Sequence, residues 1–382
     1  LLHRRRRCAR HAPADLAARA RYLRPMADPQ TVETADAAAL AAFDAVIDVR
    51  SQAEFAIDHV PGAINLPVLS NEERALVGTV YVQESRFKAR RLGAALVARN
   101  VALHLETALA EKPGGFRPLI YCWRGGQRSG AMATILAQVG WRTAVLAGGY
   151  KTYRRHVRER LYDAPLGLRV LTLDGNTGSG KTEIIARLAP LGVQAIDLEG
   201  LAQHRGSLFG GLAGRPQPGQ KMFESHLLAA LEALDPSRPV VVEAESSKIG
   251  DLMNPPALWR AMAEAPRVEL VAPRAERARY LVRAYADIAA DKNALAAALG
   301  RLPPRLGRKR LADLAAMADA GDFERLADAL MELHYDPAYA RSSRKDGRPL
   351  MARIELERLD EAALDQAARR IAALAGGDLS AG

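Results

Sequence analysis

The stretch Leu168-Arg169-Val170-Leu171-Thr172-Leu173-Asp174-Gly175-Asn176-Thr177-Gly178-Ser179-Gly180-Lys181-Thr182 decides the reading of this chain. Leu168–Leu173 is a short apolar run of strand length, and Glu183 to Ala189 is compatible with a helix. Between them lies Gly-x4-Gly-Lys-Thr, a full Walker A pattern in the strand–turn–helix setting it requires. There the glycines let backbone N–H groups cradle phosphate oxygens, and Lys181 adds a fixed positive charge. Thr182 would offer its hydroxyl to Mg2+. Gly175, Gly178, Gly180, Lys181 and Thr182 are therefore the expected phosphate or diphosphate site.

Working outward toward the C-terminus, Pro239–Val242 and Val268–Val271 read as further buried strands. This gives an α/β unit over residues 168–300. The first of these strands runs into Glu243-Ala244-Glu245-Ser246. Carboxylates there suit a metal, its waters or a base, and equally an ordinary capping cluster. Asp197 to Ser207 is dense in polar groups beside glycines, with Asp197, Glu199, His204, Arg205 and Ser207 as candidates, and it reads as a functional loop. From about Arg274 the chain is rich in Ala, Leu and Arg with helical periodicity, so 301–376 is expected to be a helical C-terminal region. Residues 377–382 read as a tail.

Toward the N-terminus, residues 31–155 alternate strands and helices, with strands at Ala45–Val49, Pro118–Cys122 and Thr143–Leu146. Residues 156–167 read as a linker. Cys122 ends its strand and is followed by Trp123-Arg124-Gly125-Gly126-Gln127-Arg128-Ser129 and a helix-compatible run from Gly130. Such a turn points N–H groups inward. With Arg124 or Arg128 it would favour a thiolate over a free thiol, which titrates near ~8.5. Cys122, Arg124 and Arg128 are the catalytic candidates. A buried cysteine beside a glycine turn is the plainer alternative, and Cys-x5-Arg also fits a phosphatase loop.

The chain has two cysteines, Cys8 and Cys122, which excludes an internal disulfide framework outside residues 1–25. Residues 1–25 hold eight arginines against Asp15, so most of the net charge of +10 sits there. We read them as a non-native or disordered leader, with an Arg-rich targeting peptide or nucleic-acid arm as the alternative. No apolar run reaches the roughly 18–20 residues of a bilayer span. A soluble protein of the cytoplasm is expected, and the residues do not fix an oligomeric state.

Asp48-Val49-Arg50, Glu54-Phe55, His59-Val60-Pro61-Gly62-Ala63-Ile64-Asn65-Leu66-Pro67 and Gly140-Trp141 through Leu146-Ala147-Gly148-Gly149-Tyr150 resemble rhodanese signatures, with Cys122 at the sulfur-carrying position. Fused to this P-loop unit, and with Asp197-Leu198-Glu199-Gly200-Leu201-Ala202, His204-Arg205-Gly206-Ser207, Phe223-Glu224 and Glu243-x-Glu245-Ser246, the chain resembles the tRNA 2-selenouridine synthase family over about residues 31–340. The resemblance implies a rhodanese-like parallel-sheet domain, a P-loop NTPase-like α/β domain and a helical C-terminal region. It also implies a transferase that converts wobble 2-thiouridine of tRNA to 2-selenouridine. The route passes through S-geranyl-2-thiouridine, with geranyl diphosphate and selenophosphate as co-substrates and a selenophosphate synthase as supplying partner. Asp48, Asp197, Glu199, His204, Arg205, Ser207, Glu243 and Glu245 would form a supporting polar site. Whether Cys122 carries selenium or acts as acid or thiolate toward the leaving group stays open. An ATP-coupled rhodanese-type sulfurtransferase acting on RNA is the alternative.

Basic clusters at Arg86–Arg91, Lys151–Arg160, Arg301–Arg310 and Arg341, Arg344, Lys345 and Arg348 are candidate tRNA-phosphate contacts. Tyr335 and Tyr339 are candidates for stacking on an unpaired base, or plain packing residues.

Overall fold

The computed structural model describes residues 28–212, 214–244, 246–343 and 347–376. Residues 1–25 and 377–382, and the candidates Glu245, Arg344 and Lys345, therefore lie outside the described residues. The chain divides into two compact units. The first is built from the described residues up to Ala53 with Gly62–Thr152, the second from Glu54–Pro61 with Tyr153 onward.

The first unit is a five-stranded parallel sheet. Its strands are β1 (Gln30–Val32), β2 (Ala45–Asp48), β3 (Ile64–Asn65), β4 (Pro118–Tyr121) and β5 (Ala144–Leu146), in spatial order β1-β5-β4-β2-β3. β4 is central and fully buried, as its run of large apolar residues requires of a strand covered on both faces. Helix Gln127–Val139 leaves its C-terminal side and buries Met132, Ala133 and Leu136 against Ile47, Val68 and Ile120. The expected strand at 118–122 thus stops one residue earlier, and Cys122 is the first residue of the turn.

The second unit has its own parallel sheet. It contains β6 (Val170–Gly175), β7 (Gln194–Ile196), β8 (Val240–Glu243), β11 (Arg267–Val271) and β12 (Leu350–Glu355), in order β12-β11-β6-β8-β7. A short antiparallel pair, β9 (Lys248–Ile249) and β10 (Leu252–Met253), lies outside it. β7 and β8 are on one side of β6, and β11 and β12 on the other. The loop after β6 therefore sits where the winding changes side, the usual place for a ligand crevice.

Two readings of the sequence gain detail here. Of residues 156–167, read as a linker, those up to Asp163 are helical. Helix Tyr150–Arg158 continues into a π-helical turn Glu159–Asp163, because Tyr153, Val157 and Leu161 are buried. The C-terminal region is helical except for β12, which pairs in parallel with β11. Helices Ala286–Ala290, Lys292–Gly300, Arg308–Asp319 and Phe323–Leu330 enclose a separate core of Phe209, Ile288, Leu295, Leu314, Leu326 and Leu330. No helix among the described residues is long and apolar enough to cross a membrane.

Candidate functional site

In the second unit, β6 delivers the chain to Gly175, and helix Lys181–Leu188 starts after Gly180. Gly178 has φ +82°, and a Cβ there would stand 2.9 Å from Leu281 Cγ, so only glycine lets the loop pass this wall. Lys181 arches back so that Nζ donates to the Gly175 carbonyl at 2.8 Å. The Thr182 hydroxyl donates to Glu199 Oε2 at 2.8 Å. The Glu199 amide in turn donates to Glu243 Oε2 at 3.4 Å. Glu243 is fully buried at the end of β8, opposite Leu173 in register.

The loop is braced from the C-terminal helices. Arg277 is 5% exposed and donates through Nη1 to the Thr177 carbonyl at 3.1 Å. It also makes a two-pronged pair with Asp336 at 2.9 and 2.8 Å, and Asn176 Nδ2 donates to the same Asp336 at 2.9 Å. Arg348 bridges Thr172 Oγ1 at 2.9 Å and Asp174 Oδ2 at 3.2 Å beneath the loop.

These elements enclose a cleft of about 1000 Å³ lined by Gly175, Thr177 to Glu183, Glu199, Arg205 and Ser207, with Trp259, Leu281 and Tyr285 among its apolar walls. Arg205 Nη2 pairs with Asp287 at 2.9 Å and its guanidinium stands over the Tyr285 ring at 4.8 Å. Its Nη1 is buried with no hydrogen-bond partner, as is Ser179 Oγ. Donors buried in this way are costly unless a ligand satisfies them. Burial holds His204 below its usual imidazole range, with Arg301 and Arg205 adding to the effect against Asp251.

In the first unit, Cys122 is 3% exposed. Its Sγ accepts from the Ser129 hydroxyl at 3.4 Å and contacts the Arg124 carbonyl at 3.7 Å. Gly125 and Gly126 take left-handed φ of +70° and +72°, which turns the chain into helix Gln127–Val139. Arg124 is exposed and Arg128 partly so. Asp48 and Arg50 form a fully buried two-pronged pair, and the Arg50 guanidinium lies over the Tyr150 ring at 4.1 Å. Tyr150 stacks on Trp123 with centroids 5.2 Å apart. Asp48 thus supports the thiol turn and belongs to a different unit from the P-loop residues with which the sequence grouped it.

The expected supporting set separates further. Glu199, Arg205 and Ser207 line the P-loop cleft, whereas Asp197 caps helix Leu198–Ala202 through the Gly200 amide. Ser129, Arg277 and Asp336 were missed. Ser129 lay inside the quoted loop, but Arg277 is one arginine among many in a helical run and carries no local signal. Two expected tRNA contacts face inward. Arg154 pairs with Glu224 and with Asp58, the latter at 3.5 Å, and Arg348 serves Asp174. Tyr335 and Tyr339 line the cleft, and burial pushes the Tyr335 hydroxyl up to about 12.

Known proteins match both units. Residues 31–156 match the rhodanese-like domain, and residues 168–370 match the tRNA 2-selenouridine synthase AAA domain. A tRNA 2-selenouridine synthase of Cronobacter sakazakii is 36% identical over 353 residues, covering 82% of this chain and 91% of that one. That of Cupriavidus pinatubonensis is 34% identical over 336 residues, covering 78% and 89%. That of Nitrosomonas europaea is 36% identical over 244 residues, covering 63% of each chain. With a domain match over most of the P-loop unit and relatives aligned nearly end to end, the chain belongs to the tRNA 2-selenouridine synthase family.

Proposed function

We propose that this protein is a tRNA-modifying transferase that converts wobble 2-thiouridine to 2-selenouridine in two steps. In the first, the thiocarbonyl sulfur attacks C1 of geranyl diphosphate. The C1–O bond breaks, diphosphate leaves with the electron pair, N3 of the base gives up its proton to the diphosphate or solvent, and S-geranyl-2-thiouridine forms. In the second, the selenium of selenophosphate attacks C2 of the base, and geranylthiol leaves with the C–S electron pair and a proton. Water then cleaves the P–Se bond to release phosphate. Alkylation first is chemically sensible, because it turns a poor leaving group into a good one.

The observation that carries this reading is the composition of the P-loop cleft. A phosphate cradle with an apolar and aromatic wall of Trp259, Met262, Leu281, Ala284 and Tyr285 suits a diphosphate with a hydrocarbon tail. Lys181, Arg205 and the loop amides would take up the charge that develops on the departing diphosphate. Thr182 Oγ1 and the Glu199 carboxylate, 2.8 Å apart, are hard oxygen donors of the kind that hold Mg2+ alongside phosphate oxygens. Bound Mg2+ would neutralise diphosphate charge there. Cys122, hydrogen-bonded by the Ser129 hydroxyl, would serve the selenium step with Arg124 and Arg128 near the anion. Selenophosphate would come from a selenophosphate synthase, and acting on tRNA sets the protein in the cytoplasm.

Single substitutions separate the steps. Lys181→Ala is expected to abolish geranylation of 2-thiouridine tRNA, and retained geranylation would overturn the P-loop assignment. Cys122→Ala is expected to stall on pre-geranylated tRNA, and selenation at the wild-type rate would overturn the thiol assignment.

A further inference from the structure

The helical region next to the P-loop holds a second cavity, of about 80 Å³. Phe209, Val282, Ile288, Leu295, Leu326 and Leu330 are among its walls. It adjoins the cleft, because Thr177, Ser207, Leu281, Tyr285 and Tyr335 line both. Of the polar groups at this shared rim, the Tyr335 hydroxyl is buried without a hydrogen-bond partner, and others are engaged. Ser207 Oγ and the Tyr285 hydroxyl bond each other at 2.9 Å, and the Thr177 carbonyl accepts from Arg277. Apart from the Tyr335 hydroxyl, what faces a ligand is mostly hydrocarbon and ring surface.

We propose that this cavity receives the far end of the prenyl chain whose diphosphate sits on the P-loop, and that it selects chain length. The inference rests on the proposed function and names the subsite that the tail would use. A dry cavity of roughly 150 Å³ takes a benzene-sized ligand, so this one takes about three carbons. That matches the branched dimethyl terminus of a geranyl chain, with the intervening carbons lying along Leu281 and Tyr285. A dimethylallyl chain is too short to use it. The shared lining at Thr177, Leu281 and Tyr285 places the apolar cavity beside the phosphate site.

The test uses the full chain and 2-thiouridine tRNA, with KM for geranyl and dimethylallyl diphosphates and Kd for inorganic pyrophosphate. Ala327 and Ala289 both line the cavity. Ala327→Leu fills it and is expected to raise the geranyl diphosphate KM about tenfold, the loss of roughly two buried methylene groups. The dimethylallyl KM and pyrophosphate Kd stay unchanged. An unchanged geranyl KM overturns the proposal. Should Ala327→Leu also lose pyrophosphate binding, the smaller Ala289→Val decides by the same comparison, with a rise supporting and no rise overturning. Wild-type protein that forms no geranylated tRNA refutes the proposed function itself, whereas geranylation indifferent to both variants refutes only the cavity.

Discussion

The Tyr150 amide donates to the Cys122 carbonyl at 2.8 Å, so the thiol turn is fastened to the segment that follows β5. The fastening leaves no room at Gly149, where a Cβ would fall 2.2 Å from the same carbonyl oxygen. Gly149→Ala must therefore move the Cys122 backbone, and φ +57° adds strain. Selenation of pre-geranylated tRNA is expected to fall at least about tenfold, as sub-ångström misplacement of a reacting group does. Geranylation is expected to persist. Equal loss of both steps in a kinetic assay would contradict this.

Arg277 and Asp336 brace the P-loop from outside the motif. Arg277→Ala leaves Asp336 without its two-pronged partner and is expected to cost about 3 kcal/mol, the usual penalty for breaking a largely buried pair. Urea denaturation checks the stability. Pyrophosphate titration checks that the loop loses affinity while the thiol step on pre-geranylated tRNA survives.

Thr182 and Glu199 are predicted to act together toward a divalent cation. Thr182→Val and Glu199→Gln should each raise the Mg2+ concentration needed for half-maximal geranylation, and the double variant should add little beyond either. Full additivity in that double-mutant cycle would show that the two do not share one ion.

His204 titrates low because burial disfavours its charged form. The folded state therefore binds fewer protons than the unfolded state below the ordinary imidazole range. This contribution is complete above about pH 6.5 and is lost as pH falls through the depressed folded value. The urea midpoint should drop between pH 7.5 and 5.5, and His204→Gln should reduce that drop. An identical pH profile for the variant would contradict the assignment.

What the sequence made legible was contiguous. The Walker loop and the cysteine turn each carry their chemistry within eight residues, where glycine positions and one charged or nucleophilic group are enough to name a function. Strands β4, β6 and β8 announce themselves because centrally buried strands are apolar throughout. β12 did not, since Ala352, Arg353 and Glu355 have little strand preference. Its place is won by pairing with β11, where Arg353 lies opposite Glu269 and binds it at 2.9 Å. The π-helical turn after Arg158 was hidden for a similar reason, because its charged surface looks like a linker until Leu161 is seen to be buried. Arg277, Asp336 and Arg348 reach the P-loop from far along the chain, and no local pattern marks such a partner. The sequence also joined Asp48 to the P-loop residues by chemical kind, whereas folding gives it to the thiol turn.

The central claim is tested most directly by nucleoside mass spectrometry of tRNA bearing wobble 2-thiouridine, incubated with the wild-type protein, geranyl diphosphate and selenophosphate, without ATP. The account predicts transient S-geranyl-2-thiouridine followed by 2-selenouridine. Unchanged 2-thiouridine, with modification appearing only when ATP is supplied, would contradict it and point to an ATP-coupled sulfurtransferase.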